Sequence, residues 1–360
     1  MVTTLNPQEI KLLDKRHTDY LIILVIDLAK RTRMQKTSEV YKHLYHYTTW
    51  EGLKNILQTQ SLWATNYKFL NDYSEIILFR DKLIDFILPV TQEGYEKLIA
   101  HKPFVEGKIQ EEGGLKRNVQ RDTEALIDAQ YRAIGSEIYI LSFCGEPEKQ
   151  SVADNGLLSQ WRGYGTGGGA ALVFDTEKLE EIIAKEVSRY QYNAVLLADL
   201  IYSDDEQKFK EELSDEINTL AGIAKQYFDH EEYQKGKEID SSNGYIPFIK
   251  CTTRYKHFGF SEEKEVRVVA LPALFNEEYI KMAKETGTIL KPEKVRKSRF
   301  KNGQRVPYIE LFEMNEIKLP IKKIIIGPHK DKEIRKIELR EVLSETNIDI
   351  ACSEIPYADR

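Results

Sequence analysis

Apolar positions along the chain switch between a helical period and a strand period, and the switches mark its elements. The first element opens at Asn6-Pro7-Gln8-Glu9, an N-cap, a proline at the first helical position and a reciprocal glutamate. Ile10, Leu13, Leu21, Leu24 and Leu28 then recur on or near one face, predicting a helical arm to about Arg33. The arm packs either on its own body or on a second subunit. The body begins at Tyr41, with a short strand over 44–47. Thr48-Thr49-Trp50-Glu51 offers a capping box, and Leu53, Ile56 and Leu57 follow at helical spacing. Residues 61–66 read as extended. A helix over 72–88 is capped by Asp72 and Glu75, 91–113 shows no pattern, and a helix over 115–134 stops at Gly135. Residues 138–144 form a strand rich in β-formers, and 170–174 form another.

In the second half, Phe209, Leu213, Ile217, Leu220, Ala224 and Phe228 make one stripe of a helix from Ser203 to about His230, capped by the Ser203/Glu206 pair. Helix over 247–258, ended by Gly259, precedes a strand over 266–271. A hairpin turns at Asn302-Gly303. A strand over 321–326, a helix over 332–344 and a strand over 348–352 finish the chain. Helices between strands, with hairpins late, predict an α+β fold on a mixed sheet. The connections are too irregular for a doubly wound dinucleotide domain. The 360 residues suffice for roughly two domains at ~150 residues each, or for one domain with insertions. The pattern favours a helical arm over 1–40 and a single domain over 41–360, with helical insertions at about 73–135 and 203–258.

Composition narrows the class. Apolar residues are 41% and charged residues 31%, an ordinary globular profile. Lys plus Arg is 52 against 58 Asp plus Glu, giving a net charge of −6, so the chain is no general nucleic-acid glue. Seven basic residues, Lys291, Lys294, Arg296, Lys297, Arg299, Lys301 and Arg305, nevertheless fall in one stretch with one acid, Glu293. That stretch is either a solvated hairpin or a track for a phosphate backbone. Cys144, Cys251 and Cys352 form no C-x-x-C pair, which fits a reducing cytosol. The longest apolar run, residues 21–26, falls short of the ~20 residues of a spanning helix, and no signal peptide is evident; a cytoplasmic location with no membrane is expected.

Few motifs carry chemistry. The run Gly165-Thr166-Gly167-Gly168-Gly169 leads into a strand, whereas phosphate loops lead into a helix, so it reads as a turn. Trp161-Arg162-Gly163-Tyr164 just before it is either core packing or a stacking platform with an anion clamp. His46 precedes a helix N-terminus, which favours anions. Glu263, Glu265 and Arg267 alternate along one strand face, where they must be paired or functional. Asn71, Asp72 and Glu75 allow a metal-dependent nuclease, although helix capping already explains Asp72 and Glu75. No histidine shows metal spacing and no G-x-S-x-G elbow is present.

An ordered set of short motifs resembles the bacterial domain-of-unknown-function family twenty-nine seventy-one. They are Tyr45-His46-Tyr47-Thr48 with Gly52-Leu53, Leu62-Trp63-Ala64, Leu70-Asn71-Asp72, Ser159-Gln160-Trp161-Arg162-Gly163-Tyr164-Gly165, Lys256-His257 with Phe260, Glu263, Glu265-Val266-Arg267, and Ile355-Pro356-Tyr357. The segment from Leu44 to Ala64 also resembles, more distantly, the first strand–helix–strand of ADP-ribosyltransferases, especially DNA-modifying toxins of toxin–antitoxin pairs.

This second resemblance implies a transferase-type mixed sheet and NAD as substrate. It implies that His46 holds a ribose of NAD and that Glu265 is catalytic, with Glu263 matching the paired-glutamate motif of some members. It implies an aromatic on the nicotinamide, with Trp161 and Tyr164 as candidates and Tyr47 behind them. Thr48 and Asn71 fall on the same motifs, and Arg162 is placed to pair with the diphosphate. The activity implied is that of an NAD-dependent ADP-ribosyltransferase, or an NAD-cleaving relative, acting as a toxin or phage-defence effector. Expected partners are a nucleic-acid or protein acceptor, reached through Lys291 to Arg305, an antitoxin or defence-system protein, and a second copy held by the arm. The competing expectation is a non-catalytic sensor or nucleic-acid-binding module on a degenerate transferase-like fold.

Overall fold

The computed structural model describes residues 36–70, 74–133, 137–228, 242–313 and 318–356. The helical arm predicted up to Arg33, and any self-association through it, lie outside the described residues. The strands are β1 (His43–Thr48), β2 (Leu62–Asn66), β3 (Tyr139–Gly145), β4 (Ala170–Asp175), β5 (Tyr192–Asp199), β6 (Ile201–Tyr202), β7 (Tyr255–Lys256), β8 (Glu265–Pro272), β9 (Arg296–Lys301), β10 (Gln304–Leu311), β11 (Ile321–Ile326) and β12 (Asp349–Cys352). All but the short pair β6–β7 join one mixed sheet, in which most neighbours are antiparallel and β11–β12 is parallel. This is the mixed α/β architecture that the alternating periods predict.

The pairing of β3 shapes the molecule. β8 covers one edge of β3 from Tyr139 to Cys144, and β5 pairs with β8 beyond it. Two strands share the other edge. β1 holds only its end, through Leu44↔Gly145 and Tyr45↔Cys144, and β2 holds the opposite end, through Thr65↔Ile140 and Asn66↔Tyr139. β1 then continues against β4, and β2 against β10 and β9. Between the two attachments, Leu141, Ser142 and Phe143 have no strand partner on that edge, so the sheet is split there.

Apolar clusters cover both faces. Leu44, Leu53, Ile56, Leu141, Phe143, Leu172, Phe174 and Val266 form one core. On the other face, Ile140, Val269 and Leu271 pack against helices Ser74–His101, Leu115–Ala133, Glu206–Phe228 and Tyr245–Arg254. The two predicted insertions therefore build one helical layer together.

Several boundaries differ from the sequence-based expectation for local reasons. The patternless stretch 91–113 is helical, because Ser74–His101 runs on past Pro89 and Phe104–Glu111 follows it. The long helix starts at Glu206 rather than Ser203: Lys208 N–H donates to Asp205 Oδ1 at 2.9 Å, while Ser203 Oγ accepts from Phe258 N–H at 3.1 Å. The helix expected to reach Phe258 ends at Arg254, and the chain extends into β7. The predicted turn at Asn302-Gly303 is present, with both residues at positive φ, 51° and 77°.

Candidate active site

The split in the sheet opens into a cavity of about 570 Å³, lined by residues of β1, β2, β3, β8, β9 and their flanking turns. That volume lies within the roughly 300–1,000 Å³ common for small-molecule sites.

One wall is ionic. The Glu265 carboxylate is 5% exposed and accepts from Arg267 Nε at 2.7 Å, Arg267 Nη2 at 3.2 Å and Lys256 Nζ at 2.7 Å. Burial alone would raise its pKa, but the charges of Arg267 and Lys256 and their hydrogen bonds outweigh burial and hold it at about 2. A carboxylate offers about four acceptor positions; among the described residues, three on Glu265 are occupied and one remains. Glu263 accepts from Lys256 Nζ at 2.9 Å and from Gln160 Nε2 at 3.1 Å. The expected strand position of Glu263 is corrected here. Lys264 has φ 44°, which breaks the extended run, and Glu263 closes the turn Phe258–Glu263 before β8 begins. Lys256, quoted among the family motifs but given no role, is the residue that joins both glutamates. Reading it as helical hid it.

His46 enters from the opposite face. Across the sheet, Tyr45 aligns with Cys144 and Cys144 with Glu265, so the alternation puts His46 on the other side with Phe143, whose ring meets it edge-on at 5.7 Å. β3 also lies between β1 and β8. The two strands are therefore one strand apart, and only the split brings His46 and Glu265 onto the wall of one cavity. His46 Nδ1 donates across the split to the Ser142 carbonyl at 3.0 Å. Burial lowers the His46 pKa against that carbonyl, which favours a neutral ring with Nε2 as an acceptor.

The aromatic assignments separate. Trp161 is 1% exposed, packs edge-on against Tyr47 at 4.9 Å and donates Nε1–H to the Asn155 carbonyl at 2.9 Å. It is a core residue and is absent from the cavity wall, so the stacking role expected of it passes on. Tyr164, 44% exposed, lines the cavity, as do Tyr47 and Thr48. The Tyr47 hydroxyl accepts from Leu157 N–H at 2.9 Å. Arg162 is exposed and does not line the cavity, and Asn71 lies outside the described residues. The glycine run is a turn: the Gly167 and Gly168 carbonyls accept from Arg335, and its backbone leads into β4.

The basic stretch does not form a continuous track. Lys294 pairs with Glu186 at 2.7 Å and Glu313 at 3.2 Å; Arg296 pairs with Glu137 at 2.8 Å and Glu293 at 2.5 Å; Lys297 pairs with Glu310 at 2.6 Å. Arg299 and Lys301 instead reach the cavity. Counting all seven together concealed that Lys294, Arg296 and Lys297 are taken up by acidic partners, whereas Arg299 and Lys301 line the cavity.

Among the described residues, no three His, Cys, Asp or Glu side chains cluster in a way that would hold a metal ion, and no helix is long and apolar enough to cross a membrane. No curated protein and no solved structure matches the chain. Residues 160–268 match the family described as "Protein of unknown function (DUF2971)". That match bears out the resemblance over residues 160–268, and it runs from Gln160 through Lys256, Glu263, Glu265 and Arg267, the whole ionic wall of the cavity.

Proposed function

We propose that the cavity takes NAD and that the protein is an ADP-ribosyltransferase or an NAD-cleaving relative. The observation that carries this reading is Glu265: a buried carboxylate held ionised on the wall of a small-molecule cavity, with one acceptor position open. In the proposed reaction the bond between the nicotinamide nitrogen and ribose C1′ breaks, and its electron pair neutralises the ring nitrogen. C1′ becomes oxocarbenium-like, and a carboxylate beside the ribose stabilises that charge, as in glycoside hydrolysis. An acceptor nucleophile or water then bonds to C1′ and loses a proton. Glu265 accepts the ribose 2′-hydroxyl at its open position, His46 Nε2 accepts from a second sugar hydroxyl, and Tyr164, with Tyr47 behind it, offers a ring face to nicotinamide. Glu263 holds Lys256 in place. The target is a nucleic acid or a protein, in keeping with a toxin or defence effector.

A second reading is supported by the charge count of the ionic wall. Glu263 and Glu265 carry −2, Lys256 and Arg267 carry +2, and such a neutral, largely buried set can serve structure or ligand binding alone. Incubating the full chain with NAD, with and without cellular nucleic acid and protein, separates the two. Free nicotinamide in step with ADP-ribose, or with ADP-ribosylated acceptor, is expected for the enzyme. NAD binding with no nicotinamide release for any acceptor would leave the sensor reading.

A further inference from the structure

Arg299 is a cation on the cavity wall with no acidic partner among the described residues. Its guanidinium lies over Trp63 at 5.0 Å and Tyr308 at 6.0 Å, and Nη2 donates to Thr65 Oγ1 at a long 3.4 Å. No acidic side chain among the described residues pairs with it, and its Nε is buried without a hydrogen-bond partner. Burial lowers its pKa, the sign of a cation held where water solvates it poorly. A buried guanidinium N–H without an acceptor costs on the order of a hydrogen bond, and an acceptor supplied by a bound ligand removes that cost. Lys301, exposed and two residues on, lines the same cavity, and so does Phe300, 79% exposed.

The placement gives the cavity a polarity. β9, which carries Arg299, lies four strand spacings from β8, which carries Glu265: β8 to β3, β2, β10 and β9. At ~4.8 Å each that is roughly 19 Å of backbone, shortened by the reach of the side chains. Glu265 and Glu263 are already compensated by Lys256 and Arg267, whereas Arg299 of β9 has no acidic partner among the described residues. A ligand that satisfies both ends has neutral or cationic donors at one and an anion at the other.

We propose that Arg299, braced on Trp63 and Tyr308 and assisted by Lys301, is the phosphate-receiving end of the cavity and that the ligand is a nucleoside diphosphate derivative. This rests on the reading of the cavity as a nucleotide site and assigns to Arg299 the diphosphate contact expected of Arg162. A planar guanidinium held by aromatic faces presents its N–H groups in a fixed fork, which suits two phosphate oxygens.

The test is calorimetric titration of the full chain with inorganic pyrophosphate and, separately, with NAD. Losing a charge-assisted contact costs about tenfold to a hundredfold in affinity. Arg299→Gln is therefore expected to weaken pyrophosphate and NAD by that factor, while Lys297→Gln, on the same strand face but paired with Glu310, leaves pyrophosphate unchanged. Pyrophosphate binding without NAD binding would keep Arg299 as an anion site and remove the NAD reading. Wild-type pyrophosphate affinity in a folded Arg299→Gln protein, or no pyrophosphate binding by wild type, would overturn the proposal. If Arg299→Gln does not fold, the exposed Lys301→Gln decides: a loss of about tenfold supports the assignment and unchanged affinity overturns it.

Discussion

At the scale of single residues, the ionic wall depends on each charge having its partner. Lys256 is buried and touches both Glu265, at 2.7 Å, and Glu263, at 2.9 Å. Removing one member of a buried ion pair typically costs about 3–5 kcal/mol. Lys256→Met is expected to lower stability by that order, and Lys256→Met with Glu265→Gln to recover part of it, read from denaturant midpoints. The pH dependence follows from Glu265. Its carboxyl is held at about 2, below the ordinary 4.5, so its contribution to stability is complete above about pH 4.5 and is lost as pH falls toward 2. His46 adds in the same direction near neutrality: with its pKa lowered by burial, its contribution is present above the ordinary value of 6.5 and is lost as pH falls below it. His46→Gln is expected to flatten the stability profile below the ordinary histidine value of 6.5, measured by urea titration at each pH. An unchanged slope would mean that folding does not lower the pKa of the ring.

At the scale of elements, local signals in the sequence located most of the chain correctly. The strands at β1, β3, β4, β8 and β11 and the Asn302-Gly303 hairpin match the residues that the alternation and turn chemistry predict. What the sequence did not show was set by tertiary pairing. Lys256 reads as helical until β7 pairs with β6, and Asp205 rather than Ser203 caps the long helix because Ser203 is engaged by Phe258. Asp205→Ala is expected to cost about 1 kcal/mol, as lost N-caps do, and Ser203→Ala little through the helix itself. Gly169 is a second element-scale case. A Cβ there would press into the Thr48 carbonyl oxygen and lie 2.9 Å from Gly165 Cα, and both obstacles are backbone. Gly169→Ala is expected to lower the unfolding midpoint by an amount equivalent to about 1–3 kcal/mol, by forcing β4 away from β1 at the edge of the cavity.

At the scale of the whole molecule, the candidate site exists because one strand cannot be fully paired. β3 gives its ends to β1 and β2 and leaves its middle open, and the ionic wall, His46, Tyr164 and Arg299 gather at that opening from separate parts of the chain. The residue types were legible beforehand for Glu265 and Arg267, charged groups alternating on an apolar strand, and for His46 before a helix start, while Glu263 stood out in the sequence but was placed on the strand rather than in the turn before it. The convergence was not, because faces and strand order are properties of the assembled sheet; by alternation alone His46 and Glu265 point apart. Trp161 shows the converse, an aromatic in a conspicuous motif that fills core. The central claim is that the Glu265 charge acts on a developing cation. Glu265→Gln keeps the shape and removes the charge, so nicotinamide release from NAD should fall by about 10²–10³, while NAD affinity, measured on the same protein, changes far less. Wild-type turnover in folded Glu265→Gln protein would contradict the account.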